Sequence, residues 1–389
     1  MKFCRLLCFF PAFFLLPSVF AQAPPPAFTA ANNPLKGDVE QNLSNIKLPA
    51  GFSIALYASG MEEARSMAMG DDGTLYVGTR GAQGAPAIGK VYAIPNANGD
   101  NKGDEVITIL EGLNYPNGVA FHDGDLYVAE INRILKYENV AGKLHAMPAP
   151  VVINASLPND YMHGWKFINI GPDNKIYVPV GAPCNMCEPE GLHGTILRMD
   201  LDGSNLEVYA RGVRNSVGFD WHPSSGELWF TDNGRDLLGD NIPPEELNVV
   251  TTAGQHFGFP YRYGKTILDN EFTTPMGANE FTPAILEMPA HNAGLGIEFY
   301  NGDQFPATYT NQLFAAYHGS WNRDPIDGYK IRLMRFENNK AVSFEDFATG
   351  WLQDNSYWGR PVDVEQTQDG SLLVSDDFNG VIYRISYAE

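Results

Sequence analysis

A turn followed by a short apolar-aromatic strand recurs six times along this chain, and that recurrence limits the possible folds more than any single motif does. The copies read DDGTLYVGTR, HDGDLYVAEI, PDNKIYVPVG and SSGELWFTDN, then more loosely NQLFAAYHGS and QDGSLLVSDD. Anchored on the first apolar residue of each, they fall at Leu75, Leu126, Ile176, Leu228, Leu313 and Leu372, with steps of 51, 50, 52, 85 and 59 residues. A second strand-like piece follows most of them, as in GKVYAI, NRILKY, GTILRMDL, YKIRLMRF and GVIYRI. That is the expected pattern of consecutive antiparallel strands in one sheet. A period near fifty residues with several strands per unit predicts an all-β, six-bladed β-propeller of four-stranded antiparallel blades, an arrangement that leaves only short protected edges. The alternative is an irregular β-sandwich with accidental recurrences. Composition favours a β-rich chain, with 39 glycines, 27 prolines, 12% aromatic and only 19% charged residues. The long fifth step requires an insertion, expected at about residues 251–300 and over one mouth of the channel.

The first 23 residues carry Lys2 and Arg5, an apolar run from Leu6 to Phe20 and small residues at Ala21 and Ala23. This reads as a cleaved secretory signal, which places the mature protein in a periplasm or outside the cell. An anchoring helix is the competing reading, but Pro11 and Pro17 interrupt the run, and it is shorter than the roughly 20 residues that cross a bilayer. Residues 24–47 form a Pro/Ala/Asn-rich connector without periodicity, and the propeller is expected over 48–389. Cys4 and Cys8 leave with the signal, so only Cys184 and Cys187 remain, and in an oxidising compartment this C-x-x-C reads as a small disulfide loop. Haem attachment would need histidine where Glu188 stands, and two cysteines are too few for structural zinc. With 46 acidic against 26 basic residues the net charge is −20, which argues against nucleic acid and anionic lipid as partners.

In such a chain, basic residues that cluster carry information. Residues next to the six repeated strands are the natural lining of an axial mouth. They include His163 in YMHGWKF, the GAPCNMC loop, Arg214 and Asn215 in RGVRNSVGF, and the DNGRD turn. His318, Trp321, Asn322 and Arg323 lie beside the fifth repeat, and Arg360 in YWGRPVDV precedes the sixth. Singly, each has an ordinary structural explanation: a satisfied histidine, an arginine paired with a neighbouring blade's carboxylate, and core positions for Trp221 and Trp229. Together, several guanidiniums facing one cavity call for an anion, which points to a small, multiply charged ligand.

The combination H-G-x5-I-G-P-D-x-x-I-Y, G-x-R-N-x-x-G, W-F-T-D-N-G-R-D-x-L-G-D-x-x-P-P-E-E-L-N and H-G-S-W-N-R resembles the glucose/sorbosone dehydrogenase family, most closely its sorbosone branch, from about residue 48 to the end. The resemblance implies a soluble six-bladed propeller that uses pyrroloquinoline quinone (PQQ), a tricarboxylate, together with Ca2+. It would oxidise the hemiacetal or hydrated aldehyde carbon of a sugar and pass electrons to an external quinone or cytochrome c. By the same resemblance His163 is the general base, and Arg214 stabilises charge on the quinone oxygen. Asn215, Arg360 and Trp321 hold the cofactor, and the backbone carbonyls of Gly234 and Arg235 bind calcium. The family's fifth-blade lysine has no counterpart, and Arg323 is its nearest substitute. Met162 replaces an acidic neighbour of the base. Two other classes use this architecture. A calcium-dependent lactonase or esterase would ring a metal with Asn117, Asp232, Asn233 and Asp376, and a non-catalytic binding propeller would need none of these roles.

Overall fold

The structure is a computed structural model and describes residues 35 and 37–388, apart from 82–87, 97, 101, 275–276 and 278–279. The expected signal and half of the connector lie outside the described residues. Six four-stranded antiparallel sheets form a ring of blades. Blade 1 comprises Ala64–Met69, Leu75–Thr79, Gly89–Ile94 and Ile107–Leu113, and blade 2 comprises Gly118–His122, Asp125–Ala129, Ile134–Tyr137 and Val151–Asn154. Blade 3 is built from Asn169–Ile170, Lys175–Val180, Thr195–Asp200 and Glu207–Arg211, and blade 4 from Phe219–Trp221, Leu228–Asp232, Glu245–Val250 and Leu286–Met288. Gly294–Phe299, Leu313–Tyr317, Lys330–Glu337 and Lys340–Ala348 make blade 5. Pro361–Gln366, Leu372–Asp376 and Val381–Tyr387 make blade 6, whose outer strand is Phe52–Ser59 from the other end of the chain.

All six repeated segments are the second strands of their blades. These strands are buried on both faces between neighbouring blades, so they read as continuous apolar runs rather than as alternating ones. The first strands touch one another around the axis. Ring closure comes from Phe52–Ser59, which pairs antiparallel with Val381–Tyr387 in the register Phe52 to Tyr387 and Ser59 to Val381. Phe52 seals this seam edge-on against Phe305, Phe347 and Tyr387, with ring centroids 4.8 to 5.0 Å away. The insertion occupies residues 251–285, between the third and fourth strands of blade 4, and carries a small hairpin, Arg262–Tyr263 with Ile267–Leu268. Residues 286–299 already belong to the blade frame, so the inserted segment is shorter than the repeat spacing suggests.

The innermost strands expose a ladder edge to the axis, and neighbouring blades cap it with carboxylates. Asp220 accepts a hydrogen bond from the Phe299 amide (2.7 Å), Asp363 from that of Met67 (2.8 Å) and Glu365 from that of Met69 (2.9 Å). Acidic groups at a free edge also oppose intermolecular pairing. Burial raises their pKa values, to about 7 for Asp220 and Asp363 and about 8 for Glu365. Glu298 is pushed well above the carboxylate range, first by burial and then by Asp220, Glu365 and Asp363.

A raised carboxyl pKa favours the folded state below the unfolded value, and that contribution is lost as pH rises through the folded value. Glu298→Gln therefore melts with the wild type at about pH 4, below the free glutamate value, and about 2 °C or more above it at pH 8, read by calorimetry at both values. Equal melting temperatures at pH 8 would show that Glu298 ionises there without penalty.

Candidate functional site

Each blade is an up-and-down meander. The segments joining second to third strands and those leading into the next blade therefore emerge at the same end of the ring. That end collects residues 155–168, 181–194, 212–218, 233–244, 289–293, 318–329, 349–360 and 377–380, and with them every site residue expected from the sequence.

His163 sits in the segment entering blade 3 with a left-handed backbone, φ 51°. Its Nδ1 lies 2.8 Å from the carbonyl oxygen of Ala182, which can only accept, so Nδ1 carries the proton. Gly181 permits this approach, since a Cβ there would meet the His163 Cβ at 2.5 Å. Burial, then the Arg214 charge and more weakly Lys166, push the imidazole pKa down to about 3. The ring is therefore neutral at physiological pH, and its basic lone pair is on Nε2. Ala182 also donates its own N–H to the Arg214 carbonyl (2.8 Å), so one residue links the imidazole to the Arg214 segment.

The Arg214 guanidinium is gripped on three sides. Nε donates to the Asn185 carbonyl (2.9 Å), Nη2 to Asn185 Oδ1 (2.9 Å) and Asp236 Oδ2 (3.3 Å), and Nη1 to the Asn233 carbonyl (3.0 Å). Of five guanidinium N–H groups, one remains for a ligand. Below it, the Asp232 carboxylate accepts the backbone N–H of Arg214 (2.9 Å) and of Asn215 (2.7 Å). The Asn215 side-chain amide makes no hydrogen bond among the described residues. Cys184 and Cys187 are disulfide-bonded, and their loop presents Asn185.

Across the mouth a fully buried carboxylate, Asp377, joins three blades. It accepts from Arg360 Nε (2.6 Å), Arg65 Nη1 (3.1 Å) and His318 Nε2 (3.1 Å), and these partners hold it well below the usual carboxylate range. Arg80 and Arg65 lie over the Trp165 ring, 4.6 and 5.7 Å from its centroid, and Arg80 Nε is 4.0 Å from Glu63 Oε2. Trp165 Nε1 has no hydrogen-bond partner among the described residues. Much of the expected anion is thus supplied by the protein itself. Arg235 likewise bonds Asp269 (2.6 Å) and Glu271 (3.1 Å) of the insertion.

Arg323 donates to the carbonyls of Ala290 (3.0 Å) and Pro325 (3.1 Å) at the rim, where Trp321 is exposed, and among the described residues no hydrogen bond or ion pair joins either to Arg360 or Arg214. The metal ring of the lactonase reading is spent internally. Asn117 binds Arg65 and the Lys166 carbonyl, Asn233 binds the carbonyls of Asn215 and Gly294, and Asp376 accepts from Tyr383 and Asn379. No cluster of three His, Cys, Asp or Glu suited to a metal occurs among the described residues. Sequence reasoning missed Arg65, Arg80, Trp165, Lys166 and Asp377. Arg80 and Asp377 are the last residues of the first and sixth repeat copies, directly after the strands Leu75–Thr79 and Leu372–Asp376, the placement that singled out the DNGRD turn. Lys166 is a buried amine that donates to the Gly164 carbonyl (2.7 Å), and burial lowers its pKa to about 7.

An uncharacterized protein of Borreliella burgdorferi is 38% identical over 363 residues, covering 90% of this chain and 92% of that one. A pyrroloquinoline quinone-dependent pyranose dehydrogenase of Coprinopsis cinerea is 30% identical over 128 residues, covering 28% of this chain and 17% of that one. The solved holo PQQ domain of the Coprinopsis cinerea pyranose dehydrogenase shares the fold at a TM-score of 0.73 and 19% identity, over 88% of this chain and 97% of that chain. Residues 38–386 match the family described as Domain of unknown function (DUF7133), and the chain belongs to that family.

Proposed function

We propose that this chain is an exported PQQ- and calcium-dependent dehydrogenase that oxidises the hemiacetal or hydrated aldehyde carbon of a sugar, of aldose or sorbosone type. It would deliver the electrons to an external quinone or cytochrome. The observation that carries the reading is His163, a neutral imidazole with Nδ1–H fixed on Ala182 and a free Nε2 lone pair beside the Arg214 guanidinium. A general base for such an oxidation needs this protonation state, because it must take the substrate O–H proton as hydride leaves carbon.

The lining fits a carboxylate-bearing planar quinone. Around Trp165 and Asp377 stand three guanidiniums, those of Arg65, Arg80 and Arg360, against two carboxylates, Asp377 and Glu63. The Glu63 pKa is raised, chiefly by burial. The guanidiniums of Arg65 and Arg80 on the Trp165 face, the unpartnered Asn215 amide and the last Arg214 N–H suit such a ligand. The carbonyl oxygens of Gly234 and Arg235 accept no hydrogen bond among the described residues and are hard donors of the kind calcium takes. When bound, PQQ would supply the two-electron acceptor for the oxidation. His163 Nε2 receives the proton, Arg214 supplies positive charge where negative charge develops, and Asn215 fixes orientation.

Apoprotein reconstituted with PQQ and calcium should reduce an electron-accepting dye when given aldoses. In His163→Asn, chosen because asparagine tolerates the left-handed backbone, PQQ binding persists while kcat/KM falls about 100- to 10,000-fold. A fall of less than threefold would remove His163 as the base. Because its pKa lies near 3, the wild-type kcat/KM profile has no acidic limb due to this group above pH 5. A limb with an apparent pKa of about 6.5 in wild type, absent from a pH-independent His163→Asn residual rate, would contradict the neutral-base geometry.

A further inference from the structure

The C-x-x-C loop has no role in the chemistry above, yet the residue it encloses makes more contacts to the catalytic arginine than any other residue does. Asn185 presents both of its oxygens to one edge of Arg214, the carbonyl to Nε and Oδ1 to Nη2, each at 2.9 Å. Its amide also pairs with the next blade's backbone: Oδ1 accepts from the Asp236 N–H (2.8 Å) and Nδ2 donates to the Asp236 carbonyl (3.2 Å). Asn185 therefore does for the two mouth loops what a peptide group does between strands, while closing a fork on the guanidinium. A four-residue loop tied at both ends by Cys184–Cys187 has little freedom to withdraw that fork.

We propose that Asn185, held in place by the Cys184–Cys187 disulfide, is the positioning residue for Arg214, fixing the plane of its guanidinium beside His163. This rests on the proposed role of Arg214 in sugar oxidation. Without the Asn185 amide, the loop loses both of its bonds to Asp236, so the Asn185 carbonyl under Nε is no longer held in place, Nη2 keeps only the 3.3 Å contact to the part-exposed Asp236, and the guanidinium pivots on Nη1 towards that carboxylate. The charge then moves away from the atoms where it is needed, and misplacement on the ångström scale lowers the rate by about 100-fold.

Two readouts on the full-length mature protein decide this. The first needs no cofactor: hydrogen exchange of the Arg214 Nε–H, assigned by NMR through its loss in Arg214→Lys. It should be slow in wild type and at least tenfold faster in Asn185→Ala and in the double variant Cys184→Ser, Cys187→Ser. Asn185→Asp keeps the acceptor oxygen and should stay nearer wild type, which also covers the case in which Asn185→Ala does not fold. The second readout uses the PQQ-loaded enzyme. The kcat of Asn185→Ala and of the cysteine double variant falls about 10- to 100-fold with sugar KM within about twofold, while Asn185→Asp recovers most of the rate. Wild-type exchange rates in the folded Asn185→Ala and cysteine variants overturn the positioning role whatever the enzyme does. Altered exchange with no turnover in any form, wild type included, leaves the positioning role standing and overturns the dehydrogenase reading instead.

Discussion

One fully buried carboxylate, Asp377, holds together the seam where the two ends of the chain meet. Its two oxygens take Arg65 from blade 1, Arg360 from the segment entering blade 6 and His318 from blade 5. Removing one partner of such a buried set typically costs about 3 to 5 kcal/mol, because the remaining charge is left uncompensated. The dependence runs further around the ring. Arg65 Nε donates to Asn117 Oδ1 (2.9 Å), and Asn117 Nδ2 donates to the Lys166 carbonyl (3.0 Å), three residues from His163. The closure of the ring and the placement of the expected base therefore share one hydrogen-bonded path.

That arrangement also sorts the cations at the mouth. Two charges beside His163, Arg214 and the buried Lys166 amine, act with burial to keep the imidazole neutral. On the opposite side, Arg65 and Arg80 lie over an indole face, and Arg65 and Arg360 share Asp377. One side is thus suited to accept a proton and the other to bind an anion, in a protein whose total charge is −20.

The blade count was legible in the sequence because the second strand of every blade is buried on both faces and reads as an unbroken apolar run, from Leu75 to Leu372. Ring closure was not, although Phe52–Ser59 has a strand-like pattern, because its partner, Val381–Tyr387, lies more than 300 residues away and no local spacing links the two. His163, Arg214 and Asn215 were singled out because they flank a repeat, and the structure joins them through Ala182 and Asp232. Arg323 and Trp321 flank one too but remain at the rim, since adjacency to a repeat gives the end of the ring and not the distance from the axis. The arginines were read as awaiting an external anion. The structure gives Arg360 the carboxylate of Asp377, Arg235 those of Asp269 and Glu271, and Arg214 that of Asp236, each 17 to 36 residues away across loops whose meeting no local spacing reveals. Asn185 was hidden for the same reason, since its value lies in what the neighbouring blade presents to it.

The central claim is that this mouth takes a carboxylate-bearing quinone, and equilibrium binding tests it most directly. Calorimetric titration of PQQ into the mature apoprotein with calcium present should saturate at a single equivalent per chain with micromolar or tighter affinity, about −8 kcal/mol or more favourable. The binding should weaken as salt is raised, because guanidinium–carboxylate contacts at a part-exposed mouth are screened. Absence of saturable binding by a folded apoprotein, or binding indifferent to both calcium and salt, would contradict the account.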